Sequence, residues 1–133
     1  MIQQAAFIGK NKLLKGGLHC HTTRSDGHGD PADVIRLHKE NNYDFIALTD
    51  HRIYNYKNFA DDVQITIIPG MEFDNTFVRG NGFRTFHTVF IGPDDETNGY
   101  SQDEELPRGT AQNQEDFQKY LDEAHNKNNL TIY

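Results

Sequence analysis

The chain has a single cysteine among its 133 residues, so no disulfide can form within it. No stretch approaches the ~18 consecutive apolar residues that a membrane span requires. The opening segment, Met1 to Lys12, lacks a charged region followed by an apolar core, which excludes a secretory signal and makes a cytoplasmic protein the expectation. Basic residues are scarce, 13 Lys and Arg against 20 Asp and Glu, for a formal charge of −7. That balance does not resemble a nucleic-acid footprint, although small substrates stay open. The acids are unevenly spread: Pro93 to Thr110 carries six of them against Arg108 alone. Such a stretch reads as a solvated surface loop, with a lid over a site as the functional alternative. No internal repeat, low-complexity segment, linker or convincing Ser-His-Asp set is present. The length suits one domain over residues 1–133.

What the chain does have is histidine at ordered places. Leu18 to Gly27 reads L-H-C-H-T-T-R-S-D-G. Residues two apart on a strand share a face, so His19 and His21 converge while Cys20 turns away as a small buried hydrophobe. Two neutral imidazoles on one face are half of a metal site, and Asp26 follows on a Ser-Asp-Gly turn at the same rim. Phe45 to His51, F-I-A-L-T-D-H, is an apolar strand ending in an acid and an imidazole. Ile65 to Glu72, I-T-I-I-P-G-M-E, ends in a carboxylate, and Phe86 to Gly92 carries His87 near its start. Metal-ligand residue types thus gather at strand ends, where β/α barrels build their sites. Imidazole and carboxylate without thiolate suit Zn²⁺, Mn²⁺ or iron and disfavour a closed structural zinc.

These motifs, in this order, resemble the polymerase and histidinol phosphatase (PHP) family of metal-dependent hydrolases, from about Lys15 to the last residue. The opening K-G-G-L-H-C-H-T-T-R-S-D-G is also similar to a subgroup that includes carbamate- and ester-cleaving hydrolases. The resemblance implies an α/β fold, the N-terminal part of a distorted seven-stranded TIM-like β/α barrel holding up to three divalent ions. It implies His19, His21 and Glu72 around the first ion, Glu72 and His87 around the second with Glu72 bridging, and Asp26 and His51 around the third. Asp50 reads as a residue orienting one of the ligands. The family's later ligands are missing, since the chain stops at N-N-L-T-I-Y as a fifth strand starts. The sequence therefore reads as a fragment of a longer protein, or else as a truncated and inactive relative.

The activity implied is hydrolysis of a phosphoester by water acidified between metal ions, with Glu72 and Asp26 as the catalytic carboxylates and a small anionic or ester substrate. The same chemistry could cleave a carboxylic ester, amide or carbamate, and a non-enzymatic metal-binding module is the third possibility. Asp30-Pro31 predicts a helix running to about Glu40, with His38 packed on its face. A weaker helix is expected at Tyr54 to Asp61, and a clear one from Ala111 to Asn128. Asn81-Gly82 predicts a hairpin from Asp74 to Phe86, which would bring Arg79 and Arg84 beside the site; Arg52 is a further candidate for an anionic substrate. His28 lies near Asp26 on a flexible turn, and His125 reads as a helix-end cation. The sequence leaves the oligomeric state open.

Overall fold

The structure, a computed structural model, describes residues 13–93 and 99–133. Its first sheet is a short parallel arc of β1 (Gly16–Gly17), β2 (Phe45–Ile46) and β3 (Thr66–Ile67), in that order. Parallel neighbours need a crossover, and α1 (Pro31–Glu40) supplies the first. It starts where Asp30-Pro31 predicts: the Asp30 carboxylate accepts a hydrogen bond from Ala32 N at 2.9 Å, and proline sits where its missing N–H is no loss. The inner face of α1 buries Ile35 against Ile46, Leu48 and Ala60, with Cys20 packed alongside. His38 bonds the Val34 carbonyl at 2.8 Å through Nδ1, so it serves its own helix.

The helix expected at 54–61 does not form, because its backbone is engaged elsewhere. Asn55 bridges to Gly70, the Gln102 amide oxygen accepts the N–H groups of Tyr56 and Lys57, and the Asn58 side chain accepts that of Ala60.

The second sheet holds β4 (Gly70–Arg79), β5 (Gly82–Ile91), β6 (Gly109–Ala111) and β7 (Leu130–Ile132), in the order β6-β4-β5-β7. β4 and β5 are antiparallel through their whole length. The hairpin is therefore longer than expected, and its turn is Gly80-Asn81, with Gly80 supplying the left-handed conformation at φ +60°. The last helix, α2 (Gln114–Asn126), begins later than expected, at an Asn113 cap whose side chain accepts from Asp116 N. Ala111 belongs instead to β6, parallel to β4.

Side chains alternate along the hairpin with a period of two. Met71, Phe73 and Phe90 point to one side, into a core shared with Tyr54, Tyr100 and Ala124. Glu72 and Asp74 point to the other side, opposite Val89 and His87.

The result is a mixed α/β fold of two sheets and two helices, and no closed barrel forms among the described residues. The expected gathering of ligand residue types at strand ends holds only in part. Glu72 is the third residue of β4, and His87 lies midway along the antiparallel β5 rather than near a strand start. The two sheets meet at a parallel bridge between His51 and Glu72. No helix among the described residues is long and apolar enough to cross a membrane. In the acidic stretch, residues 94–98 lie outside the described residues, as does the Met1 to Lys12 segment. In the described remainder Asp103, Glu104 and Glu105 are exposed, as a surface loop requires, while buried Tyr100 and Gln102 anchor it to the core.

Candidate metal centre

The segment after β1 carries the first two histidines, held in place by main-chain bonds. Ala47 N donates to Gly17 O at 2.8 Å and Thr49 N to Cys20 O at 2.7 Å. The His19 and His21 rings meet edge to face, 4.9 Å apart. Beyond them the chain turns sharply, with the Ser25 and Gly27 N–H groups both returning to Thr22 O. A Cβ on Gly27 would lie 2.4 Å from the His21 carbonyl, so only glycine lets this turn close and present Asp26. Buried Asp50 braces the turn: it accepts from Thr22 N (2.7 Å), Thr22 Oγ1 (2.8 Å), Ser25 Oγ (2.8 Å) and Asn55 Nδ2 (2.9 Å). Asp50 thus orients the turn that carries Asp26, and touches none of the histidines assigned as ligands.

Glu72 is the centre of the arrangement. Only 6% exposed, its carboxylate faces four imidazoles: His21 Nε2 at 3.0 Å, His51 Nδ1 at 3.2 Å, His87 Nδ1 at 3.3 Å and His19 Nε2 at 3.7 Å. The structure thereby brings all six expected residues, His19, His21, Asp26, His51, Glu72 and His87, into one cluster. It divides into overlapping donor groups: His19, His21 and Glu72; His21, Asp26 and His51; and His51, Glu72, Asp74 and His87. His28 is exposed and outside all three, and His125 bonds Thr131 Oγ1 far along the chain.

The hydrogen-bond partners of the rings set their tautomers. His51 Nδ1 lies 2.6 Å from Asp74 Oδ1, His21 Nδ1 2.7 Å from Asp26 Oδ1, and His19 Nδ1 2.8 Å from Thr49 Oγ1. A carboxylate oxygen can only accept, so Nδ1 of His21 and of His51 carries the proton in each neutral ring. Thr49 fits the same tautomer for His19. The Nε2 lone pairs then point inward, towards Glu72 from His19 and His21 and towards Asp26 from His51, whose Nε2 lies 3.5 Å from Asp26 Oδ2. Lone pairs facing carboxylates repel unless a cation lies between them. This donor set therefore fits divalent metal, with Asp26, Asp74 and Thr49 fixing the rings from behind. Partial desolvation lowers the pKa of His19, although half of its side chain stays exposed, and so favours the neutral ring that coordination needs. The His21 hydrogen bond holds the Asp26 carboxyl below the usual range. Burial raises the Cys20 thiol, and Cys20 stays out of the cluster.

Asp74 went unnoticed in the sequence, yet it lies two residues past Glu72 on the same strand. The period of two that pairs His19 with His21 would have pointed to it.

A family model for the PHP domain matches residues 17–132. The chain belongs to the PHP domain family. A comparison with curated proteins gave no match. This PHP domain has a cleft of about 400 Å³ beside the cluster, lined by Asp26, His51, Asp74 and His87 and by Arg24, Arg52 and Arg108. Arg52 takes the left-handed conformation at φ 58°, uncommon for a side-chain-bearing residue. Its N–H donates to Glu72 O at 2.8 Å, and its guanidinium bonds Asp74, Glu105 and the Leu106 carbonyl. Arg79 and Arg84 are not beside the site; the long hairpin carries both to its far tip, where they line a separate surface hollow.

Proposed function

We propose that this PHP domain is a metal-dependent hydrolase acting on small phosphoesters. The observation that carries the reading is the set of imidazole lone pairs converging on the buried Glu72 carboxylate. His19, His21 and Glu72 would hold one ion, Glu72 and His87 with the Asp74 side of the cluster a second, and Asp26 with His51 a third. Divalent zinc, manganese or iron bound there would acidify water and polarise the ester being cut. The protein's own groups do the rest. Glu72 is shared by neighbouring positions, Thr49 and Asp74 hold two of the rings in register, and Asp26 presents its Oδ2 beside His51 Nε2 as a charged carboxylate facing the cleft. The guanidiniums lining the cleft complement charge on phosphoryl oxygens, which favours a phosphoester over a carboxylic ester or carbamate.

The test is metal analysis of protein purified without chelator, with turnover of phenyl phosphate measured beside a carboxylic ester and a carbamate. Glu72→Gln should lower bound metal and reduce turnover ~100-fold or more, a larger loss than any other single ligand change, because that carboxylate serves neighbouring ions. If Glu72→Gln keeps wild-type metal and rate while His19→Ala does not, the shared role is wrong. A protein that binds metal yet turns over none of the three substrates is a binding module, not an enzyme.

A further inference from the structure

The cleft's three arginines face three carboxylates, Asp26, Asp74 and Glu105, but the pairing among them is uneven. Arg52 spans two carboxylates, Asp74 and Glu105, and its Nε bonds the Leu106 carbonyl, so each of its three nitrogens has a partner. Arg108 shares Asp74 with Arg52 through a single contact at 3.0 Å, and its side chain is 55% exposed. Five N–H donors on a guanidinium leave most of Arg108 free towards the cleft. Arg24 has no carboxylate partner among the described residues. It donates to the neutral Gln102 carbonyl and lies over the Phe59 ring, and its buried Nε has no hydrogen-bond partner. A guanidinium held without a counter-charge in a partly buried position is costly, and an anion in the cleft would supply that charge.

The two arginines come from different segments, and each has a firm base. Arg24 sits in the turn braced by Asp50. Arg108 directly precedes β6, whose Gly109 pairs with Asn75 of β4. The segment leading to it is anchored by Gln102, which holds two main-chain N–H groups, and by a bond of 2.8 Å from Leu106 N to Arg52 O. Both side chains line the same cleft wall as His51, His87 and Asp26, whereas His19 and His21 do not line it.

We propose that Arg24 and Arg108 form a clamp for the oxygens of a phosphoryl group, seating a small phosphomonoester on the Asp26, His51 and His87 side of the cluster. The clamp rests on the hydrolytic reading for its substrate class, but not for its binding chemistry. Planar guanidiniums match phosphate oxygens two at a time, and a cleft of this volume suits a small molecule. Substrates that bear no anion at the bond being cut would gain nothing from it.

The decisive experiment titrates inorganic phosphate into the metal-loaded protein by calorimetry, for wild type, Arg24→Gln, Arg108→Gln, Arg108→Lys and Arg84→Gln at the hairpin tip. The expected result is a phosphate Kd raised at least tenfold in each Gln variant, partly restored in Arg108→Lys and unmoved in Arg84→Gln. With phenyl phosphate, the loss in Arg108→Gln should fall on KM more than on kcat, and metal content should hold. Phosphate affinity that is absent from wild type, or within twofold of wild type in both Gln variants, overturns the clamp. Loss of bound metal, or a loss of kcat at constant KM, also overturns it, by making Arg108 a positioning residue that acts through Asp74 and His51. The two readings fail separately. Arginine-dependent phosphate binding with no turnover of any ester keeps the clamp and removes the hydrolase, while phosphoester turnover with arginine-independent phosphate binding does the reverse.

Discussion

A histidine is useful to a metal only when its other nitrogen is occupied, and here Thr49 and Asp74 supply that occupancy for His19 and His51. Thr49→Val removes the Oγ1 partner while keeping the branched shape. The expected outcome is metal affinity weaker by about 10- to 100-fold with the fold intact, read by competition against a chromogenic chelator. Equal affinity in the variant would show that His19 needs no such hold. Acidity should act in the same direction. His19 titrates below its ordinary 6.5 because burial disfavours its charged form. Its neutral form is thus present throughout the range above 6.5, and protons compete with metal only as pH falls below that value. The unfolded chain takes up that proton first, so the same descent also weakens the metal-free fold. Metal affinity that falls steeply as pH drops through the imidazole range is the expected profile; affinity constant down to about pH 4 would contradict imidazole ligands.

The elements that were legible are those with local chemistry at their ends. Asp30-Pro31 specifies α1 because a side-chain oxygen caps a free N–H and the proline needs none. Asp30→Ala should therefore cost about 0.5–2 kcal/mol of stability, measured by denaturant unfolding; a loss near zero would mean the cap is replaced by water. The hairpin was legible from its glycine turn, though placed one residue late and cut short at both arms. β6 has three residues, two of them Gly109 and Ala111, and nothing local marks it as a strand. It exists because β4 offers an open edge, a fact available only in three dimensions. The failed helix at 54–61 has the same cause, since Gly70 and Gln102, distant in sequence, claim its N–H groups. The six ligand candidates could be read because His, Asp and Glu types stand out in apolar runs. Arg24 and Arg108 could not, because an arginine's partners decide its meaning and those partners lie far along the chain.

Over the whole molecule, apolar surface is distributed unevenly. Phe83 and Tyr133 are 75% and 76% exposed, and Phe86, Leu130 and Ile132 are also exposed. β7 ends the second sheet's strand order, so one of its edges is unpaired among the described residues. Open edges and apolar patches favour association. Sedimentation of the 133-residue chain should show concentration-dependent self-association, reduced in Phe83→Lys. A monodisperse monomer at high concentration would show this surface to be harmless.

The hairpin's alternation sets what insertions and deletions the chain can accept. Its proximal arms place the cluster side chains Glu72, Asp74 and His87 on one face and core side chains on the other, fixed by the pairing of Asp74 with His87. Loss of one residue from a single arm must be absorbed as a bulge or shift the pairing. A shift by one exchanges the two faces, sending Phe73 towards water and Glu72 into the apolar core. Loss of a facing pair, such as Val78 with Phe83, leaves every proximal pairing as it was. Length variation in this hairpin is therefore tolerated in matched steps at the distal end, and the arm can be trimmed or extended there without disturbing the residues that meet at Glu72.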